Sequence, residues 1–215
     1  MKPRHLGLIS RAPAALARPA LLLARPVLLA RARRALLRHA QGDMRLPRPS
    51  SVILEPTLRC QLSCSFCFQR GHAQGGEELS LRALDKILTT LAPRELKLIG
   101  GEVLLRDDAE DLIRLACRRA PAVTLTSNGL GLDRALTSSL ARLPSLARLS
   151  LSLCPEPRGP VEHLERLAPF TRRLRGRVWV MAQLMVEPGA GDQAARALAA
   201  LPAAGIRWAL LMQRM

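Results

Sequence analysis

The sequence predicts an α/β protein in which parallel strands alternate with helices. Six short apolar segments between Ser51 and Gln213 alternate with five segments whose apolar residues recur at helical spacing. Repeated βα units of this kind fold with right-handed crossovers into a parallel sheet, which is either open or curled into a barrel. Glycines and polar residues follow several of the strands, at the edge where such folds collect their functional groups.

Each element is assigned from a local signal. Ser80 is a favourable N-cap, and the apolar residues Leu84, Leu88 and Leu91 after it follow the 3.6-residue period of a helix. The other helices show the same period, and the strands are the short apolar runs between them. We expect strands at residues 51–56, 95–100, 122–129, 147–153, 177–186 and 206–213. We expect helices at residues 81–92, 109–120, 133–142, 161–174 and 191–205.

Three cysteines lie in one loop directly after the first strand. Cys60, Cys64 and Cys67 have the spacing C-x3-C-x2-C, so that their three thiols can face one point and bind a metal centre. A cubane iron–sulfur cluster normally takes four cysteines. Three would leave one iron open to a small molecule, much as catalytic zinc keeps an open position. The polar and basic residues around the loop favour thiolate over thiol.

The stretch from Leu54 to Phe68 resembles the signature loop of the radical S-adenosylmethionine (radical SAM) enzymes, C-x3-C-x-aromatic-C, with Phe66 as the aromatic residue. LKLIGGEVLLR is similar to the Gly-Gly-Glu strand of that family, and LTSNG to its next strand end. The resemblance covers the chain from about Ser51 onwards. It implies a partial (β/α)6 TIM-like barrel that binds a [4Fe–4S] cluster and S-adenosylmethionine (SAM).

The resemblance also implies roles for individual residues. Cys60, Cys64 and Cys67 would hold the cluster, and Glu102 would accept hydrogen bonds from the ammonium group of SAM. Gly100 and Gly101 would allow a ligand to approach the backbone closely. The other expected cofactor contacts are Phe66 beside the cluster or adenine, and Ser127, Asn128, Ser152 and Gln183 at the ribose and carboxylate.

Ordinary structural roles compete with several of these assignments. Gly-Gly and Asn-Gly pairs are common turn signals, Phe66 can be a core residue, and Gln183 can be a solvated strand residue. Two positions depart from the family pattern, since Val103 replaces the usual proline and Cys154 replaces an acid. We expect neither Cys117 nor Cys154 to be a cluster ligand.

The activity that the resemblance implies is reductive cleavage of SAM. One electron reaches the sulfonium, methionine leaves, and the 5′-deoxyadenosyl radical abstracts hydrogen from a substrate. The expected partners are a one-electron reductant of the flavodoxin or ferredoxin type and a peptide, lipid or small-metabolite substrate. No general acid or base is assigned, because the substrate is not identified.

Two other functions compete with this one. A degenerate or truncated relative would bind a cluster without turnover and act as a partner or scaffold. A zinc-containing nucleic-acid binder would use Cys64, Cys67 and His72, but structural zinc is usually closed by four Cys or His ligands. Aromatic residues make up only 2% of the chain, which leaves few platforms on which single-stranded bases can stack. Nucleic acid is therefore not an expected partner.

Residues 1–49 differ in composition from residues 50–215, which we assign to the radical SAM core domain. The first segment holds eleven basic residues and one acid, whereas the whole chain has a net charge of +16. We expect a basic N-terminal helical extension with a helix from about Val27. Arg18, Arg25 and Arg31 interrupt its apolar runs, so neither a membrane span nor a signal peptide is predicted.

The ends of the predicted domain raise a question of packing. The core domain stops at its sixth strand without the usual closing helix, so either the N-terminal helix or a partner chain is expected to cover that strand. The alternative for the basic helix is peripheral contact with a membrane surface. The five cysteines do not suggest a disulfide framework, which favours a reducing compartment and hence the cytoplasm.

Overall fold

The computed structural model describes residues 49–64, 66–67, 78–153 and 159–213. Contacts divide the chain into residues 1–47 and 48–215, and only the second unit is described. The predicted helix from Val27 therefore lies outside the described residues, and so do His72 and Cys154. No helix in the described part of the chain is long and apolar enough to cross a membrane.

All six predicted strands are present and form one parallel sheet. The strand order is β1-β2-β3-β4-β5-β6, so each strand pairs with the next one in sequence. The strands are β1 (Ser51–Leu54), β2 (Glu95–Leu98), β3 (Ala122–Ser127), β4 (Leu146–Leu153), β5 (Trp179–Val186) and β6 (Trp208–Gln213). The helices are α1 (Leu81–Leu91), α2 (Ala109–Arg119), α3 (Arg134–Leu140), α4 (Pro160–Leu174) and α5 (Gly191–Ala200).

The two faces of the sheet differ in polarity. On β4, Leu149, Leu151 and Leu153 are buried in the core, while Ser152 between the last two is only half-buried. The same alternation on β5 buries Ala182 and Leu184. Because side chains alternate between the faces of a strand, one face packs in an apolar core and the other carries the polar residues.

The strand β6 is covered less than the other strands. Leu210 is 44% exposed on one face and Leu211 is 50% exposed on the other. Among the described residues, β6 pairs with β5 alone. Its outer edge fits the expectation that the last strand requires a cover, and the identity of that cover stays a prediction.

Two short 3-10 helices were not predicted. Val103–Leu105 follows the Gly-Gly-Glu segment, and Leu201–Ala204 replaces the end of the last predicted helix. Proline has no N–H to donate within a helix, so Pro202 ends the α-helical hydrogen bonding there. The predicted cap of α1 is present, since Ser80 Oγ accepts the Ala83 N–H at 3.2 Å.

Candidate functional site

The cysteine loop rests directly on the end of β2. The Gly101 N–H donates to the Thr57 carbonyl at 3.0 Å, and the Glu102 N–H donates to the Arg59 carbonyl at 2.7 Å. A Cβ atom at Gly101 would overlap the Arg59 carbonyl, and one at Gly100 would meet the Thr57 carbonyl oxygen. The paired glycines therefore allow a close approach, and here it is the backbone leading to Cys60 that approaches.

The three predicted ligands lie together on this loop. All three cysteines are partly exposed, and the Cys67 N–H donates to the Cys64 carbonyl at 3.0 Å in a tight turn. Burial raises the pKa of Cys60; the Leu62 N–H opposes this effect, while Glu102 and the other two cysteines add to it. For the free thiol of Cys60, the expected preference for thiolate is therefore wrong. Metal coordination would reverse it, because a coordinating thiol is deprotonated.

The donor set fits an iron–sulfur cluster in its chemistry. No three Cys, His, Asp or Glu side chains within the described ranges already form a metal-binding group. The loop nevertheless offers three thiols that are close enough for Cys64 and Cys67 to affect the pKa of Cys60. Thiolates are the soft ligands that such clusters take, and three of them leave one iron position open.

Glu102 joins the ends of β2 and β3. Its side chain is 1% exposed. One carboxylate oxygen accepts from Leu104 N–H at 2.9 Å and from Ser127 Oγ at 2.8 Å, and the other accepts from Asn128 N–H at 2.7 Å. Burial raises the pKa of Glu102, and these three hydrogen bonds oppose the shift. A carboxylate has about four acceptor sites, so one remains for a ligand donor.

The remaining predicted contacts form a second pair beside this group. Ser152 and Gln183 are register partners on β4 and β5, and Ser152 Oγ lies 3.4 Å from Gln183 Oε1. Ser127 pairs with Leu151, so Ser152 follows directly beyond the end of β3. Phe66 is half-buried within the turn of the cysteine loop.

Three contacts of the site were not predicted from the sequence. Gln61 Nε2 reaches Asn128 Oδ1 at 3.4 Å and thereby links the cysteine loop to β3. His163 Nε2 lies 2.8 Å from the Asn128 carbonyl oxygen, and burial lowers the pKa of that histidine. Arg106 hydrogen-bonds to the carbonyls of Pro56 and Leu79. Only the Arg106-x-Asp108 pair has a sequence signal, because opposite charges two residues apart can meet around a tight turn.

The other residues singled out in the sequence lie away from the thiols or serve the core. Cys117 is on α2, packs against the core, and has its pKa raised by burial to about 11. This position fits the prediction that Cys117 is not a ligand. Val103 is fully buried at the start of the 3-10 helix, so this departure from the family pattern contributes core packing. Arg59, considered as a cluster or carboxylate contact, lies 3.5 Å from Glu78.

We predict that Glu102→Gln changes the pH dependence of stability. The raised pKa of Glu102 means that the folded state favours its protonated form. Raising the pH from about 4 to about 8 should therefore lower the free energy of unfolding of the wild type relative to Glu102→Gln. Urea unfolding of the metal-free proteins across this range measures the difference.

Glu110→Gln is a control of opposite sign. Hydrogen bonds from Ser139 and Arg114 lower the pKa of Glu110. The wild type should therefore gain stability relative to Glu110→Gln as the pH rises. A wild type that gains stability over Glu102→Gln in the same range would contradict the prediction.

Sequence comparisons identify related proteins over much of this region. Residues 54–154 match the Radical SAM superfamily. The chain is 34% identical over 100 residues to a probable GTP 3′,8-cyclase of Archaeoglobus fulgidus, which is 45% of this chain and 33% of that protein. It is 33% identical over 95 residues to the sporulation killing factor maturation protein SkfB of Bacillus subtilis, which is 43% of this chain and 23% of SkfB.

Solved structures show the same fold at low sequence identity. SuiB of Streptococcus suis bound to S-adenosylmethionine has a TM-score of 0.68 and 16% identity, and the match covers 87% of this chain and 45% of SuiB. The enzyme anSMEcpe with bound AdoMet has a TM-score of 0.62 and 14% identity, covering 78% of this chain and 52% of anSMEcpe. These matches confirm the predicted partial (β/α)6 barrel.

The chain spans about a third of the length of the first of these relatives, 33% of it. The family match includes all three cysteines and the Gly-Gly-Glu segment, which the structure brings into contact. The family implies an iron–sulfur cluster and SAM. From these matches and this fold, the chain belongs to the Radical SAM superfamily.

Proposed function

We propose that residues 50–215 are the core of a radical SAM enzyme. The observation that carries the proposal is the seating of the cysteine loop on Gly100 and Gly101, next to Glu102. This contact places the three thiols beside the one buried carboxylate that has an acceptor site left. The arrangement suits a cofactor that binds an open iron through one part and donates hydrogen bonds through another.

In this proposal Cys60, Cys64 and Cys67 hold a [4Fe–4S] cluster with one open iron. When bound, the cluster supplies one electron to the sulfonium of SAM, which divides into methionine and a 5′-deoxyadenosyl radical. The protein orients the cofactor. The free acceptor site of Glu102 receives the ammonium group of SAM. Asn128, Ser152, Gln183 and Phe66 are proposed contacts of its carboxylate, ribose and adenine, as listed by family resemblance.

Cleavage of SAM tests the activity directly. The anaerobically reconstituted protein, given dithionite and SAM, should release methionine and 5′-deoxyadenosine in equal amounts. A protein that holds a full cluster but releases neither product would instead support the alternative of a cluster-binding relative without turnover. Bound zinc and no visible absorbance would support the zinc alternative.

The substrate and partners are proposals of their own. SuiB has been solved with the precursor peptide SuiA, and SkfB is named as a maturation protein. These two neighbours support a peptide as the first substrate to test, ahead of lipids and small metabolites. We propose a flavodoxin or ferredoxin as electron donor, and the cytoplasm as the compartment, because exposed cluster thiols require reducing conditions.

We predict that each of Cys60→Ala, Cys64→Ala and Cys67→Ala abolishes the cluster. Each change removes one thiolate from a set that has no spare ligand on the loop. Iron analysis after anaerobic reconstitution should show about four irons per chain in the wild type and little in the variants. Cys117→Ser is the matched control and should retain the wild-type iron content. A full cluster in Cys64→Ala would refute the assignment.

We predict that Gly101→Ala impairs cluster binding through the backbone. Its Cβ would overlap the Arg59 carbonyl, so the strand leading to Cys60 must shift. Iron content should fall by more than about half, since two close backbone segments cannot relax without losing hydrogen bonds. Gly191→Ala is the control, because a Cβ there meets no atom within 4 Å. Equal iron content in the two variants would show that the close approach is not required.

A further inference from the structure

Arg106 is a buried arginine just beyond the Gly-Gly-Glu segment. Its residue is 5% exposed, and it directly follows the 3-10 helix that Glu102 caps. Nε and Nη2 donate to the two carboxylate oxygens of Asp108 at 2.7 and 2.8 Å. This bidentate pair fixes the plane of the guanidinium group and directs its remaining donors away from Asp108.

Those remaining donors reach both ends of the cysteine loop. Nη1 donates to the Pro56 carbonyl at 2.8 Å, and Nη2 donates to the Leu79 carbonyl at 3.2 Å. Pro56 lies just before Cys60, whereas Leu79 lies well after Cys67 and just before α1. One planar group thus joins the segment that enters the loop to the segment that leaves it.

A second contact joins the same two segments. Thr57 Oγ1 donates to Glu78 Oε1 at 2.7 Å, and Glu78 Oε2 lies 3.6 Å from Arg106 Nη1. Asp108 and Glu78 together offset the charge of the buried guanidinium, which buried arginines require. Arginine has five donors in a rigid fork, whereas lysine has three on one atom and cannot reach both carbonyls and both Asp108 oxygens with the same geometry.

We propose that Arg106 is a positioning residue that ties the two ends of the cysteine loop together and so holds the three thiols ready for a cluster. It acts through the backbone at Pro56 and Leu79. The proposal rests on the proposed function only in naming the cluster as the group that the loop receives. The ordering of the loop itself can be measured on the metal-free protein.

The first experiment measures thiol alkylation in the full-length metal-free protein. Iodoacetamide is added under reducing, anaerobic conditions, and each cysteine is quantified by mass spectrometry. Arg106→Gln should raise the alkylation rates of Cys60, Cys64 and Cys67 about tenfold, because the loop opens locally more often once it loses two anchors. The rate at Cys117 should stay unchanged in the same sample, which separates local opening from general unfolding.

Arg114→Gln is the matched control. Arg114 also pairs with a carboxylate, Glu110, at 2.6 Å and with Ser139, but it lies on α2 away from the cysteines. Its loss should leave the alkylation of the loop unchanged. Arg106→Lys should give a partial rescue, with rates between those of the wild type and Arg106→Gln. This graded response is not expected if only a positive charge is needed.

The second experiment measures iron per chain after anaerobic reconstitution, where Arg106→Gln should bind less than about half of the wild-type amount. If Arg106→Gln does not unfold cooperatively, Arg106→Lys decides the question by the same two measurements. Wild-type alkylation rates and iron content in a folded Arg106 variant would overturn the proposal. A wild type that takes up no iron would overturn the proposed function, and the alkylation rates would still test Arg106.

Discussion

The site depends on one close contact between two backbones. Thr57 and Arg59, in the segment leading to Cys60, offer their carbonyls to the N–H groups of Gly101 and Glu102. These hydrogen bonds require a separation that a Cβ at either glycine would prevent. The cysteine loop therefore has its place on the sheet before any metal binds, and the position of each thiol follows from this contact.

The segment from Gly100 to Arg106 extends this contact in three directions. Its glycines hold the segment leading to Cys60, Glu102 binds the end of β3, and Arg106 holds both ends of the cysteine loop. The two buried charges are stabilised differently. Arg106 lies beside two carboxylates, whereas Glu102 has three neutral donors and keeps a raised pKa. A buried carboxylate without a protein cation suits a site that receives a cationic ligand group.

The rest of the fold supports this edge of the sheet. The buried leucines of β2, β3 and β4 pack with α1, α2 and α4 in one apolar core, so that the strand ends keep a common register. His163 on α4 reaches the Asn128 carbonyl and connects the helical layer to the site. The strand β6 lies at the other end of the sheet and has exposed leucines on both faces.

The amino-acid sequence by itself determined the alternation of strands and helices, the family, and the loop that carries the cysteines. These features depend on local periodicity and on spacing within short segments, which the sequence displays directly. Only the tertiary structure decided why Gly100 and Gly101 are needed, which donors surround Glu102, and that Arg106 spans the cysteine loop. Each of these joins segments that are distant in the chain, such as Pro56, Leu79 and Arg106. Such pairings depend on the close packing of backbones after the sheet has formed, and no local pattern encodes them.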